Sequence, residues 1–141
     1  VAWNMIPDNI KNNINSDKSF GIHLHCPEAA TPKDGPSAGG ALTLAIISLL
    51  TNIKVKRDIG LTGEIDLKGN ITKIGGLDLK IEGGKKAGLK TILIPFENKL
   101  DYDIIKKDNP QILDNIDIIV VSSIKEIVTL CLEENSINFN L

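Results

Sequence analysis

Apolar and polar positions along the chain alternate between short strand-like runs and helix-length segments. In the first sixteen residues Trp3, Ile6, Ile10 and Ile14 recur at helical spacing, while Pro7 and a cluster of Asn limit the prediction to a short helix. Residues 20–26 set Phe20, Ile22, Leu24 and Cys26 against Gly21, His23 and His25, the period of a half-buried strand. A polar, turn-rich loop over residues 27–36 follows. It gives way without a spacer to residues 37–51, apolar almost all round and therefore predicted as a central buried helix. Residues 59–67 read as a strand, Lys68-Gly69-Asn70 as a tight turn, and residues 71–74 as the returning partner.

Gly75-Gly76 then breaks the chain before a second helix over residues 77–87, closed by Gly88 just past its end. Gly83-Gly84 inside that helix cost about 1 kcal/mol each relative to Ala, so packing must hold it. A buried strand over residues 91–94 ends at Pro95, and a short helix is expected over residues 101–107. A buried strand over residues 116–121 and an amphipathic helix over residues 124–133 close the pattern. Ser122 or Ser123 serves as the cap of that helix, and Glu126 completes a capping box with Ser123. Residues 135–141 read as a loose tail. Strands interleaved with helices, one hairpin among them, predict a mixed α/β (α+β) sandwich with helices against a sheet. No internal repeat or linker divides residues 1–141, which are expected to form one domain.

Composition narrows the class. At 141 residues the chain is long enough for one hydrophobic core. A net charge of −2, with both signs mixed along the chain, gives no electrostatic footprint for nucleic acid. No apolar run reaches bilayer-spanning length, and no signal-peptide pattern is present, so no membrane partner is expected. Cys26 and Cys131 stand in apolar contexts and read as buried thiols rather than a disulfide, which points to an intracellular, reducing compartment. His23 and His25 share one strand face, but no third ligand with suitable spacing accompanies them, so no metal site is expected.

The candidate chemistry centres on Asp34-Gly35-Pro36-Ser37-Ala38-Gly39-Gly40. A Pro before Ser37 and small residues after it place Ser37 at or near the first turn of a helix, where unpaired N–H groups and the positive dipole end are found. One reading makes Ser37 an N-cap. The other makes it a nucleophile whose tetrahedral oxyanion those N–H groups hold. A serine nucleophile needs a base. His25 lies twelve residues upstream, and nothing marks out a Ser-His-acid triad. A lysine serves instead if burial or a helix N-terminus disfavours its charged form, since an ordinary lysine is almost wholly protonated at neutral pH. Lys80 stands out by position, in the first turns of a helix after a double-Gly break and flanked by Leu79 and Ile81. An ordinary surface lysine fits the same pattern.

The run from Pro27 to Gly39 resembles the nucleophile signature of the Lon family of ATP-dependent serine proteases. Thr62-Gly63-Glu64-Ile65, Gly69, Ile74-Gly75-Gly76-Leu77 and Lys80 resemble that family's second signature, at matching distances from Ser37. The stretch from Ala87 to Pro95, with Glu97-Asn98, continues the likeness. The resemblance implies the fold of the second domain of ribosomal protein S5. It implies a Ser-Lys dyad, with Ser37 as nucleophile and Lys80 as general base. Thr62 would hold the lysine through its hydroxyl, and Asp34 could pair with Lys80 in an inactive form. Backbone around Gly35 and Pro36 would form the oxyanion site, and Glu64 and His25 would lie along the substrate path.

It further implies unfolded or damaged proteins as substrates, six-membered homo-oligomeric rings, and a location in the cytoplasm or, in eukaryotes, the mitochondrial matrix. No cofactor is expected in this domain. ATP and Mg belong to an ATPase module, and no Gly-x-x-x-x-Gly-Lys-Ser/Thr sequence occurs here. The family domain is expected to begin upstream of Val1. The chain departs from the family at Asp78-Leu79, where a charged pair is usual, at Gly83-Gly84, where Ala is common, and at Ala29. Two other readings share parts of this pattern. One is a proteolytically inactive Lon-like oligomerisation domain. The other is a small-molecule kinase of the same fold, whose phosphate loop is also Gly- and Ser-rich.

Overall fold

Ile92, Leu93 and Ile94 form the centre of the fold, and in the computed structural model none of them is more than 4% exposed. The model describes residues 1–25, 35–133 and 139. A short run of branched apolar residues suits a strand covered on both faces. That strand (Thr91–Pro95) lies in the middle of a three-stranded parallel sheet. With the strands numbered in chain order it is β4, flanked by β1 (Ile59–Leu61) and β5 (Asp117–Val121). The register runs Ile59↔Thr91 to Leu61↔Leu93 on one side and Thr91↔Asp117 to Pro95↔Val121 on the other.

Side chains alternate across β4 and feed two cores. Leu93 joins Leu44, Ile47, Val121, Ile127 and Val128 on one face. Ile92 and Ile94 join Ile74, Leu77, Ile81 and Ile105 on the other. The first face is covered by α3 (Gly39–Thr51) and α6 (Ile124–Cys131), with α1 (Ala2–Met5) supplying Met5. The second is covered by α4 (Leu77–Lys86) and α5 (Lys99–Asp108). Each fully buried Ile or Leu in these layers contributes roughly 1.5–3 kcal/mol. Helices packed on both faces of a sheet give the mixed α/β class.

The hairpin of β2 (Glu64–Ile65) and β3 (Ile71–Thr72) forms as the pattern predicts, with Ile65 opposite Ile71. Asp66 builds its turn: Oδ1 accepts from the Lys68 and Asn70 N–H groups at 2.8 and 2.9 Å, and Oδ2 accepts from Asn70 Nδ2 at 2.7 Å. At α6, Ser123 Oγ accepts from the Glu126 N–H as the expected capping box requires, while the Glu126 carboxylate reaches back to the Ser123 hydroxyl and to the Ser122 N–H rather than to the Ser123 N–H.

Several elements differ from the sequence expectation. Phe20 to His25 form no strand and are exposed, and Cys26 lies outside the described residues, as do the tail apart from Phe139 and most of the loop before Ser37. An alternating segment becomes a strand only where an edge pairs with it, and none pairs with Phe20 to His25 among the described residues. The N-terminal region gives two helices, α1 and α2 (Asp8–Ser16), rather than one. Pro7, at the N-cap of α2, separates them.

The strand expected over residues 59–67 divides at Thr62-Gly63, its halves belonging to different sheets. The returning strand stops at Thr72 because side chains take over its ladder: Lys73 N–H donates to Glu97 Oε2 at 2.7 Å and Ile74 N–H to Asn98 Oδ1 at 3.0 Å. The α3 helix is not buried all round, since Leu42 and Leu49 are 40% and 62% exposed.

Candidate active site

The junction between β1 and β2 is where α3 starts. Gly63 N–H donates to the Ser37 carbonyl at 2.9 Å, and Gly40 N–H donates back to the Gly63 carbonyl at 3.0 Å. The approach is close enough that a Cβ at Gly39 would stand 2.9 Å from Ile65 Cγ2 and 3.1 Å from the Ile65 backbone nitrogen. The small residues after Ser37 are therefore what let the helix start seat on the strands.

Ser37 itself lies two residues before α3. The N-cap is Ala38, which makes no side-chain cap, so Ser37 does not take the capping role. A turn closed by Gly39 N–H on the Pro36 carbonyl at 2.9 Å, with Gly35 at φ +95°, presents the serine. Pro36 has no N–H to offer an oxyanion, so its part is to shape this turn. Among the described residues the N–H groups of Ser37 and Ala38 have no hydrogen-bond partner.

Lys80 arrives from the other core. Gly76, in the left-handed region at φ 63°, starts α4, and Lys80 N–H closes its first turn on the Gly76 carbonyl at 3.1 Å. The half-buried Lys80 side chain reaches across the end of the sheet and its Nζ donates to Ser37 Oγ at 3.1 Å. Lys80 has no carboxylate partner among the described residues. Thr62, 9% exposed, donates to the Ser37 carbonyl at 3.5 Å rather than to Lys80.

These three residues line one end of a cavity of about 320 Å³. The remainder of its wall is apolar, chiefly Leu61, Leu89 and Ile92. A hydroxyl within hydrogen-bond reach of an amine, beside partnerless N–H groups and an apolar recess, is an arrangement suited to acyl transfer.

The other sequence candidates are not gathered here. Glu64 stands on β2 opposite Thr72 and does not line the cavity. His25 is exposed, its ring stacked on His23 with centroids 6.4 Å apart, and it lies outside the cavity. Asp34 lies outside the described residues. Among the described residues no group of three or more His, Cys, Asp or Glu could hold a metal, and no helix is long and apolar enough to cross a membrane.

Sequence reasoning did not single out Leu89 or Gly84 as cavity residues. The available signal was Gly88, since an apolar residue after a left-handed helix end folds back on the last turn.

Residues 3–134 match the model of the Lon protease (S16) C-terminal proteolytic domain. The chain belongs to this family, a family of serine-type peptidases. It is 46% identical over 130 residues to the Lon protease homolog of Acanthamoeba polyphaga mimivirus, covering 92% of the chain and 13% of the relative. It is 48% identical over 124 residues to the Lon protease of Rickettsia typhi, covering 88% of the chain and 15% of the relative. With the Lon protease of Escherichia coli K12 it shares 49% over 112 residues, 79% of the chain and 14% of the relative. The chain thus spans about a seventh of the length of these relatives.

Proposed function

We propose that this chain cleaves peptide bonds with Ser37 as nucleophile and Lys80 as general base. The observation that carries the reading is the 3.1 Å contact from Lys80 Nζ to Ser37 Oγ, made between side chains from different cores. In the cycle, neutral Lys80 takes the proton of Ser37 as Oγ attacks the substrate carbonyl carbon. The negative charge that develops on the carbonyl oxygen is met by backbone N–H groups of the turn, of which those of Ser37 and Ala38 have no partner among the described residues.

Lys80 then gives its proton to the leaving amine as the C–N bond breaks, which leaves the acyl group on Ser37. Water, losing a proton to Lys80, attacks that ester, and Lys80 returns the proton to Ser37 Oγ as the acyl C–O bond breaks and the acid leaves. Thr62 holds the Ser37 backbone through its carbonyl, and in this reading helps orient the Lys80 side chain that shares its end of the cavity.

The relatives named above are Lon proteases, so the protein carrying this chain acts, in our reading, as an ATP-dependent protease on unfolded or damaged proteins inside the cell. ATP and Mg would act in a separate module, since this chain has no P-loop sequence, and a homo-hexameric ring would bring the proteolytic domains together. Glu64, His25 and Asp34 would act on the approach to the site. The test is peptidase assay of Ser37→Ala and Lys80→Ala. Each variant should lose cleavage while keeping its fold, and wild-type rates in either would overturn the dyad.

A further inference from the structure

Two side chains from just past β4 stand in for the strand that β3 lacks beyond Thr72. Glu97 Oε2 accepts from the Lys73 N–H at 2.7 Å, and Asn98 takes both backbone groups of Ile74, the N–H at 3.0 Å and the carbonyl at 2.8 Å. Among the described residues no other side chain bonds the backbone between Lys73 and Leu79. The amide of Asn98 has one workable orientation. Its Nδ2 also donates to Asp101 Oδ2 at 2.7 Å, so a flipped amide would set Oδ1 against both the Asp101 carboxylate and the Ile74 carbonyl. Asp101 is itself paired with Lys73 Nζ at 3.4 Å.

Resting on the reading of Lys80 as general base, we infer that Asn98 is a positioning residue for that base, oriented by Asp101 and acting through Ile74 and the start of α4.

The lever is short. Only Gly75 and Gly76 separate Ile74 from α4, and nothing packs within 4 Å of where their side chains would stand. Lys80 N–H closes the first turn on the Gly76 carbonyl, so the lysine follows wherever Gly76 is put. The far end of the helix is tied separately, by Lys85 Nζ on the Gln111 and Ile112 carbonyls at 3.0 and 2.9 Å. Gly83-Gly84, just before that tie, adds backbone freedom. Leu77 and Ile81 sink into the second core, but apolar packing is non-directional and sets the depth of a helix better than its place along its own axis. The two bonds of Asn98 set that place. Asn98 is fully buried, so water does not compete for them. A displacement of about 1 Å at Lys80 disturbs its contact with Ser37 Oγ, and misplacement on that scale costs about 100-fold in rate.

The experiment compares kcat/KM, in the full protein that carries this chain, on a peptide and on an activated ester of the same acyl group. Lys80 must protonate the leaving amine of the peptide, whereas the leaving group of the ester departs without a proton. A displaced base therefore lowers the peptide-to-ester ratio. A fraction of unfolded molecules lowers both rates alike and leaves the ratio unchanged. Below its unfolding midpoint, Asn98→Ala should lower the ratio by about tenfold or more, and Asp101→Ala should lower it by a smaller factor. Ile127→Ala, which hollows the other core at α6, should keep the wild-type ratio. If Asn98→Ala fails to fold, Asp101→Ala decides alone. An unchanged ratio in the folded variants, or an equal fall in Ile127→Ala, overturns the inference. Lys80→Ala separates the two readings. Wild-type rates on both substrates in that variant remove the base itself; loss of peptide cleavage in it, beside an unchanged ratio in Asn98→Ala, removes only the positioning role.

Discussion

Asn98 clasps Ile74 from both sides: its Oδ1 accepts from the Ile74 N–H at 3.0 Å and its Nδ2 donates to the Ile74 carbonyl at 2.8 Å. The side chain is fully buried, and its second amide hydrogen goes to Asp101 Oδ2 at 2.7 Å. Ile74 is the last residue before Gly75-Gly76, from which the helix of Lys80 departs. The clasp therefore fixes where α4 starts. Asn98→Ala leaves two buried backbone groups of Ile74 unsatisfied, and we expect a loss of about 3 kcal/mol in urea unfolding. A loss under about 1 kcal/mol would show that the backbone finds other partners.

The α6 capping box gives a smaller expectation. Ser123→Ala removes the acceptor of the Glu126 N–H and the donor to Glu126 Oε1, and should cost about 1 kcal/mol. Ser123→Asp restores the acceptor and should recover most of that loss. Thermal melts of the two variants side by side check this.

Burial on α3 is one-sided, and two substitutions on that helix read it out. Ile47 is fully buried against both Leu93 and the α6 side chains, so Ile47→Ala should cost about 3–4 kcal/mol. Leu49 is 62% exposed, so Leu49→Ala should cost less than about 1 kcal/mol. Equal costs would mean that something covers Leu49 in solution.

Cys131 makes stability fall at alkaline pH. Burial pushes its thiol up to about 11, and the charge of Lys56 only partly opposes this. An unfolded thiol ionises near 8.5, so between those values the unfolded state releases a proton that the folded state keeps. The contribution of the neutral thiol is whole below the unfolded value and is lost as pH rises toward the folded one. Urea midpoints should therefore drop between about pH 8.5 and pH 11 by more in wild type than in Cys131→Ala. Native Cys131 should also resist alkylation at pH 8 until the chain is unfolded.

Much of this architecture was legible in local pattern. The turn at Lys68-Gly69-Asn70, the helix over residues 77–87 with Gly88 past its end, and the β4 run carry their own chemistry, and each appears within a residue or two of where the pattern puts it. Residues 20–26 misled because alternation reports the preference of a segment and not the presence of an edge to pair with. Residues 59–67 misled because an unbroken alternation, with Ile59, Leu61, Ile65 and Leu67 on one period, hides a change of partner, which here falls at Thr62-Gly63 where the Ser37 carbonyl takes the Gly63 N–H. Serine and lysine were each ambiguous alone. Their contact spans the two cores of the fold, and no local period carries that information. The resemblance to the family's two signatures is what paired them.

Ser37 labelling by a serine-directed acylating inhibitor tests the central claim most directly, with the modified peptide mapped by mass spectrometry. The account predicts one adduct, on Ser37 Oγ, that forms in wild type and is lost in Lys80→Ala although that variant folds. An adduct that maps to another serine, or one that forms on Ser37 equally fast without Lys80, would contradict it.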